Sequence, residues 1–294
     1  MTCDGLWNCI MVPLQFAPTQ RALFAAILIG VLCAVIGPFV VLQELSFIGD
    51  ALAHASFPGV VLASMFGLNV ALGGAVFGVA TALGVGWITR RAKVSLDTAI
   101  GVLFAGMFAL GIFLLSLRRG YANELFGLLL GDVLAVRPAD LWIIAIVGGT
   151  ILLIVAALYK ELMLMTFDPT AAQAQGLPTG ALHYLLLSLM AVTVVISIQS
   201  VGIVLVVAMI VTPAATASLV VRRFSAMIVW GAIQGVVAAT IGIYLSSYID
   251  RVPTGSSIVL AHTAIFVIVL LVSPRPGALG GLFRRGKGGE AGES

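Results

Sequence analysis

Residues 21–43, RALFAAILIGVLCAVIGPFVVLQ, hold a single charged side chain in 23 positions. About 20 apolar residues cross the roughly 30 Å hydrocarbon core of a bilayer, so this run is long enough to span one. The rest of the chain repeats the pattern near 47–67, 69–89, 96–117, 140–160, 181–199, 201–221, 225–248 and 256–273. Composition says the same: of 294 residues, 61% are apolar and 9% charged, with a mean hydropathy of +1.17. A soluble domain carries about 45–50% apolar and about 25% charged residues. So few charges cannot cover a folded surface in water, whereas hydrocarbon accepts apolar side chains pointing outward. The predicted fold is an all-α, polytopic membrane helix bundle of eight or nine spans. The count is open because 47–67/69–89 and 181–199/201–221 are each joined by only a residue or two. One member of either pair could be a half-helix or a re-entrant piece.

Other classes drop out. Fifteen Lys+Arg against twelve Asp+Glu give a net charge of +3, and Lys93, Lys160 and Lys287 are the only lysines, so no nucleic-acid-sized basic field exists. Cys3, Cys9 and Cys33 lack C-x-x-C spacing and imply neither a structural zinc site nor a disulfide framework; Cys3 and Cys9 could pair outside the cell or stay free. Residues 1–18 have no basic leader region and no clean cleavage site, so the first span is expected to act as a signal anchor.

Basic residues set the expected orientation. With residues 1–20 outside, Arg90, Arg91, Lys93, Lys160, Arg222, Arg223, Arg275, Arg284, Arg285 and Lys287 face the cytoplasm, and Arg21, Arg118, Arg119, Arg137 and Arg251 face out. The flipped arrangement reverses that bias, against the positive-inside rule. Residues 21–273 then form one membrane domain, and the Gly- and charge-rich 274–294 a disordered cytoplasmic tail.

Two segments between spans are more than connectors. Residues 124–136, ELFGLLLGDVLAV, are apolar but too short to cross, which predicts a re-entrant or interfacial helix on the outer side. In 166–180, TFDPTAAQAQGLPTG, Asp168 is a good N-cap, Pro169 suits the first helical position, Ala171 favours helix, and Gly176 with Pro178 ends it. This short cytoplasmic helix over 168–176 is either a docking element for a rigid partner or an ordinary loop helix.

Ionisable groups within a span are costly, so each invites a functional explanation. Asp50 and His54, in SFIGDALAHASFPG, stand four residues apart on one helical face. Pro58 follows four residues later, and its missing N–H is expected to free the carbonyl of His54. Carboxylate and imidazole are donors for a divalent transition metal, and a two-donor site suits an ion in transit. A self-satisfying pair that stabilises a kink would look the same. Asp250 could draw cations to the outer mouth or pair with Arg251, and His262 in the last span is either a pathway residue or a packed, hydrogen-bonded one. His183 is expected at the interface. Pro38 and Pro213 interrupt span interiors, as hinges of transport proteins do. Gly74-x-x-x-Gly78 and Gly231-x-x-x-Gly235 read as close helix packing.

The runs GDALAHASFPGVVLA (49–63), LFGLLLGDVLAV (125–136), TFDPTAAQAQGL (166–177), QSVGIVLVVAMIVTPAATA (199–217) and DRVPTGSSIVLA (250–261) together resemble the signature blocks of the metal-ion family of ABC transporter permeases. The resemblance covers nearly the whole chain in order. It implies a homodimer of type II importer architecture in the bacterial plasma membrane, carrying zinc or manganese, with iron as a further possibility. It also implies a cytoplasmic ATP-binding cassette subunit docked on Asp168–Gly176, and an extracytoplasmic solute-binding protein that delivers the ion. The family's Asp-x-x-x-His pair falls on Asp50 and His54. The chain lacks G-x-x-x-x-G-K-[ST], so ATP would be hydrolysed only by the partner. An ion-gradient-driven transporter would show internal repeats, which are not evident; an intramembrane metalloenzyme would need H-E-x-x-H or a third ligand beside the pair, and neither is present.

Overall fold

The computed structural model describes residues 15–117, 136–249 and 252–273. Twelve helices follow one another there: α1 (Ala17–Leu42), α2 (Ile48–Ala55), α3 (Phe57–Met65), α4 (Val70–Ala92), α5 (Leu96–Ser116), α6 (Pro138–Ala157), α7 (Tyr159–Phe167), α8 (Pro169–Ala174), α9 (Thr179–Val201), α10 (Ile203–Val220), α11 (Phe224–Tyr248) and α12 (Thr254–Val272). No strand occurs among the described residues. With α2 and α3 taken as one span, nine segments are long and apolar enough to cross a membrane. Both members of each doubtful pair are full length, so nine replaces eight among the described residues. The first span starts at Ala17, inside the stretch assigned to an outer amino end. The expected helix at 124–136 lies outside the described residues except for buried Val136.

Sequence sets the ends of these helices. The side chain of Asn69 accepts from the N–H groups of Ala71 and Leu72 to start α4, and that of Ser95 accepts from Thr98 N–H to start α5. After α1, Glu44 takes a positive φ of 58° and donates its N–H to Val41 while Leu45 donates to Val40, a Schellman turn that buries Leu45. That turn brings α2 back into the bundle within five residues.

Alternating spans gather 43–47, 90–95, 158–178, 221–223 and 273 at one end, the basic end. Ser273 donates to the Leu219 carbonyl there, and Phe224 packs on Phe39, Tyr159 and Phe167. α1, α2–α3 and α9 are mostly buried, whereas α5, α6 and α12 turn broad apolar faces outward, with Trp87, Trp142 and Trp230 exposed. That inside-out distribution is what lipid as solvent permits.

Glycines draw the helices together. A Cβ on Gly74 or Gly78 would sit 3.1 Å from Val195, so α4 lies flush on α9, and Gly235 approaches Gly30 so that α11 lies on α1. Both predicted small-residue pairs are therefore packing surfaces. The tightest crossing joins α3 to α4: a Cβ on Gly59 would collide with the carbonyl of Gly73.

Candidate functional site

The second span is two helices jointed at Ser56. Pro58 falls in the first turn of α3, where its missing N–H costs nothing, and the buried Ser56 hydroxyl donates to the Ala53 carbonyl at 2.7 Å. The Ser56 backbone N–H donates to the Leu52 carbonyl at 3.0 Å and closes α2, and Pro58 has no N–H to return to the His54 carbonyl, as expected. The joint fixes where α2 ends and so where its polar face points.

That face carries Asp50 and His54. His54 Nε2 lies 3.6 Å from Asp50 Oδ1, too far for a hydrogen bond, and the two side chains are 26% and 47% exposed. At donor distances of about 2.1 Å, two atoms 3.6 Å apart subtend about 120° at an ion between them, near the angle a tetrahedral or trigonal site uses. The gap between the two atoms is therefore wide enough for an ion to sit between them. His54 Nδ1 is buried with no hydrogen-bond partner among the described residues, so nothing there ties down the ring's far nitrogen. The ring is held by edge contacts to Phe104 and Phe108, at centroid distances of 5.4 and 5.1 Å.

Those contacts give the depth. α5 has 21 residues, about 31 Å of helix, and Phe104 and Phe108 lie about 12 and 18 Å from its start. His54 is therefore near mid-bundle, with Asp50 a turn closer to the basic end. Asp50 opens into a cavity of about 430 Å³ with Phe47, Ala51, Asp97, Ile100, Gly101 and Phe104 in its walls. Asp97 is a second carboxylate that sequence reading passed over, because in the first turn of α5 it looks like an ordinary helix-start acid. Only the packing of α2 on α5 brings it beside Asp50.

The other expected residues do not converge on this pair. Among the described residues no third His, Cys, Asp or Glu joins Asp50 and His54 in a metal-binding group. His262 is fully buried in α12, which packs on α10 and α11 rather than beside the pair, and among the described residues neither of its ring nitrogens has a hydrogen-bond partner. Asp250 lies outside the described residues. α10 continues through Pro213 without a break, and Pro213 packs near Gly231; α1 likewise runs through Pro38.

The short helix expected over 168–176 is present as α8. Asp168 accepts from the N–H groups of Thr170 and Ala171 and from the Thr170 hydroxyl, and these hydrogen bonds hold its carboxyl below the ordinary aspartate range. Pro169 begins the helix, and Ala172 is its buried anchor. Gly176, at φ +80°, ends it in a Schellman turn, donating to Gln173 while Leu177 donates to Ala172. Ala171 is partly buried, and Asp168, Pro169, Thr170 and Gln173 are exposed at the basic end.

Known proteins place this arrangement. Residues 15–273 match the ABC 3 transport family. The manganese transport system membrane protein MntC of Halalkalibacterium halodurans is 45% identical over 266 residues, covering 90% of this chain and 91% of that one. The chelated iron transport system membrane protein YfeD of Yersinia pestis is 39% identical over 269 residues, covering 90% and 89%. The solved structure of PsaBC from Streptococcus pneumoniae in complex with Fab superposes with a TM-score of 0.83 at 36% identity, covering 94% of this chain and 99% of that one. With its nine potential spans and these bacterial relatives, the chain is a multi-pass protein of the bacterial plasma membrane and belongs to the ABC 3 transport family.

Proposed function

We propose that this chain is the permease subunit of an ATP-driven importer for a divalent transition metal, manganese in the first place. The observation that carries this reading is the Asp50–His54 pair, two donors 3.6 Å apart near mid-bundle, with Asp50 on the wall of an accessible cavity. The relatives named for manganese and iron transport favour those ions over zinc. Carboxylate and imidazole accept all three, so selectivity rests partly on what delivers the ion.

In this reading the basic end is cytoplasmic, α8 docks on a separate ATP-binding cassette subunit, and a binding protein loads the opposite end. ATP-driven closure of the cassettes moves α8 and switches the pathway between outward and inward access. Asp97, nearer the basic end than Asp50, supplies the next negative charge on the inward route. Two copies of the chain complete the path: Asp50 opens on a cavity between α2 and the sparsely covered α5, and a second copy there would close it.

The test is reconstitution with the ATPase subunit and the binding protein in proteoliposomes. ATP-dependent uptake of radioactive manganese is expected, reduced by excess ferrous iron. Uptake that proceeds on a proton gradient without ATP or ATPase would replace this reading with a secondary transporter.

A further inference from the structure

A second cavity of about 430 Å³ lies at the basic end, sharing no wall residue with the one at Asp50. It is enclosed by the turn after α1, the end of α4, the α7–α8 corner and the start of α9. Its polar lining comprises Gln43, Thr89, Arg90, Thr166, Gln173, Thr179 and His183, and no acidic residue is among it. The Arg90 guanidinium is seated on α9, its Cζ 5.2 Å from the Tyr184 ring centroid. Gly180 makes room for it, since a Cβ there would come within 2.5 Å of Arg90 Nη1. Among the described residues no carboxylate lies within ion-pairing distance of Arg90, which is itself exposed. Two amide–hydroxyl clasps hold the walls: Gln43 Nε2 donates to Thr166 Oγ1 at 2.9 Å, and Gln173 Nε2 to Thr179 Oγ1 at 3.2 Å.

We propose that this cavity binds a phosphate group, presented either by an anionic phospholipid or by a free phosphate ion. A guanidinium matches two phosphate oxygens with parallel N–H groups. The Thr89 and Thr166 hydroxyls donate to the Val85 and Leu162 carbonyls of their own helices, which leaves Arg90, His183 and the second amide hydrogens of Gln43 and Gln173 as donors; coming from several helix ends, they suit a tetrahedral anion better than a planar carboxylate. The place fits as well: the cavity lies where α1 and α4 end, at the depth of lipid headgroups, and basic pockets between spans on the cytoplasmic side are sites of anionic lipid binding. Because Pro169 and Gln173 of α8 form part of the wall, a bound phosphate would brace α8 against α4 and α9. The binding stands on the cavity alone; only this bracing rests on α8 as the ATPase-docking helix.

The experiment uses the full-length permease with its ATPase subunit in nanodiscs, with phosphatidylglycerol in phosphatidylcholine for one arm and phosphatidylcholine alone, titrated with radioactive inorganic phosphate, for the other. Native mass spectrometry and filter retention count the bound phosphate species. Retention in the first arm assigns the lipid, and retention in the second the free ion. Arg90→Ala is expected to lower retention at least about tenfold, from the loss of charge-assisted hydrogen bonds. Arg91→Ala, beside it but outside the lining, should retain as much as the parent. If Arg90→Ala does not assemble, Arg90→Gln and His183→Gln make the same test. Equal retention by parent and assembled variants in both arms overturns the proposal. So does a photo-cross-linker at Gln173 that captures the ATPase subunit within the cavity, which would make this a protein–protein socket.

Discussion

Replacing Asp50 with asparagine removes one charge from the proposed cation path and almost no volume. Two unit charges about 4 Å apart interact by about 4 kcal/mol at an effective dielectric of about 20 and by about 1 kcal/mol in water. A divalent ion doubles both figures, bracketing the loss at about 2–8 kcal/mol. Asp50 is 47% exposed and opens on its cavity, so screening places the loss toward the lower bound, about 2 kcal/mol, or roughly thirtyfold in apparent affinity. Radioactive manganese uptake by proteoliposomes, measured across ion concentrations, should show KM raised by at least that factor. Permease abundance and ATPase binding should stay at parental levels, since Asp50 makes no hydrogen bond that holds α2 in place. His54→Ala should act in the same direction, and the double variant should lose less than the sum, because each single change already dismantles the shared site. Parental KM in Asp50→Asn, within about twofold, would refute the reasoning and leave the pair as a structural kink.

Three further outcomes follow from the packing and the caps. Gly59→Ala drives a methyl into the Gly73 carbonyl and should cost about 1–3 kcal/mol by overpacking, read as a lower melting temperature in detergent; Gly149→Ala, where a Cβ meets nothing within 4 Å, should be neutral or slightly stabilising. Ala171→Arg on α8 should sharply reduce capture of the ATPase subunit while the permease still inserts, and unchanged pull-down would remove α8 from the docking surface. For Asp168 the folded carboxyl lies below its unfolded value, so its contribution to the α8 cap is complete above the unfolded value and fades only as pH falls through the folded one. ATPase capture should therefore not weaken through α8 between neutral pH and about pH 5; a decline there that Asp168→Asn abolishes would contradict the assignment.

The membrane spans were legible because hydrocarbon imposes a length and a polarity on every span, and those are properties of the sequence itself. Predicted and observed ends differ by no more than four residues, as at 21–43 against Ala17–Leu42. α8 was legible because its start and stop are local: Asp168, Pro169 and Gly176 act within a turn of themselves. Asp50 and His54 were visible because helical spacing alone puts them on one face. What failed to show was whatever depends on two helices meeting. Asp97 belongs to the cavity only through α2–α5 packing, and Arg90 finds Tyr184 across 94 positions of sequence. That α10 continues through Pro213 has a related reason. A proline removes one N–H and crowds one carbonyl, but a helix packed on both sides at that point, as α10 is by α1 and α11, can continue through it.

The incompleteness of the Asp50–His54 site is itself a consequence of how α2 is built. A storage or structural metal site closes four ligands around its ion and fixes each imidazole through its second nitrogen. Here two donors face each other across a gap, the second nitrogen of His54 is unpartnered, and the ring is held instead by two phenyl edges. Phenyl groups position the imidazole without raising its basicity, so in the proposed reading the grip on an ion would be weak, and the cavity at Asp50 would leave the remaining coordination to water. Weak binding beside water is what a pathway needs, since an ion that enters must also leave. The Ser56 joint makes the same point mechanically. α2 packs on α4, α5, α9 and α10, whereas α3 packs on α4 and α5 and is locked to α4 through Gly59 and Gly73. The two donors therefore ride on the half of the span that the Gly59–Gly73 crossing does not lock.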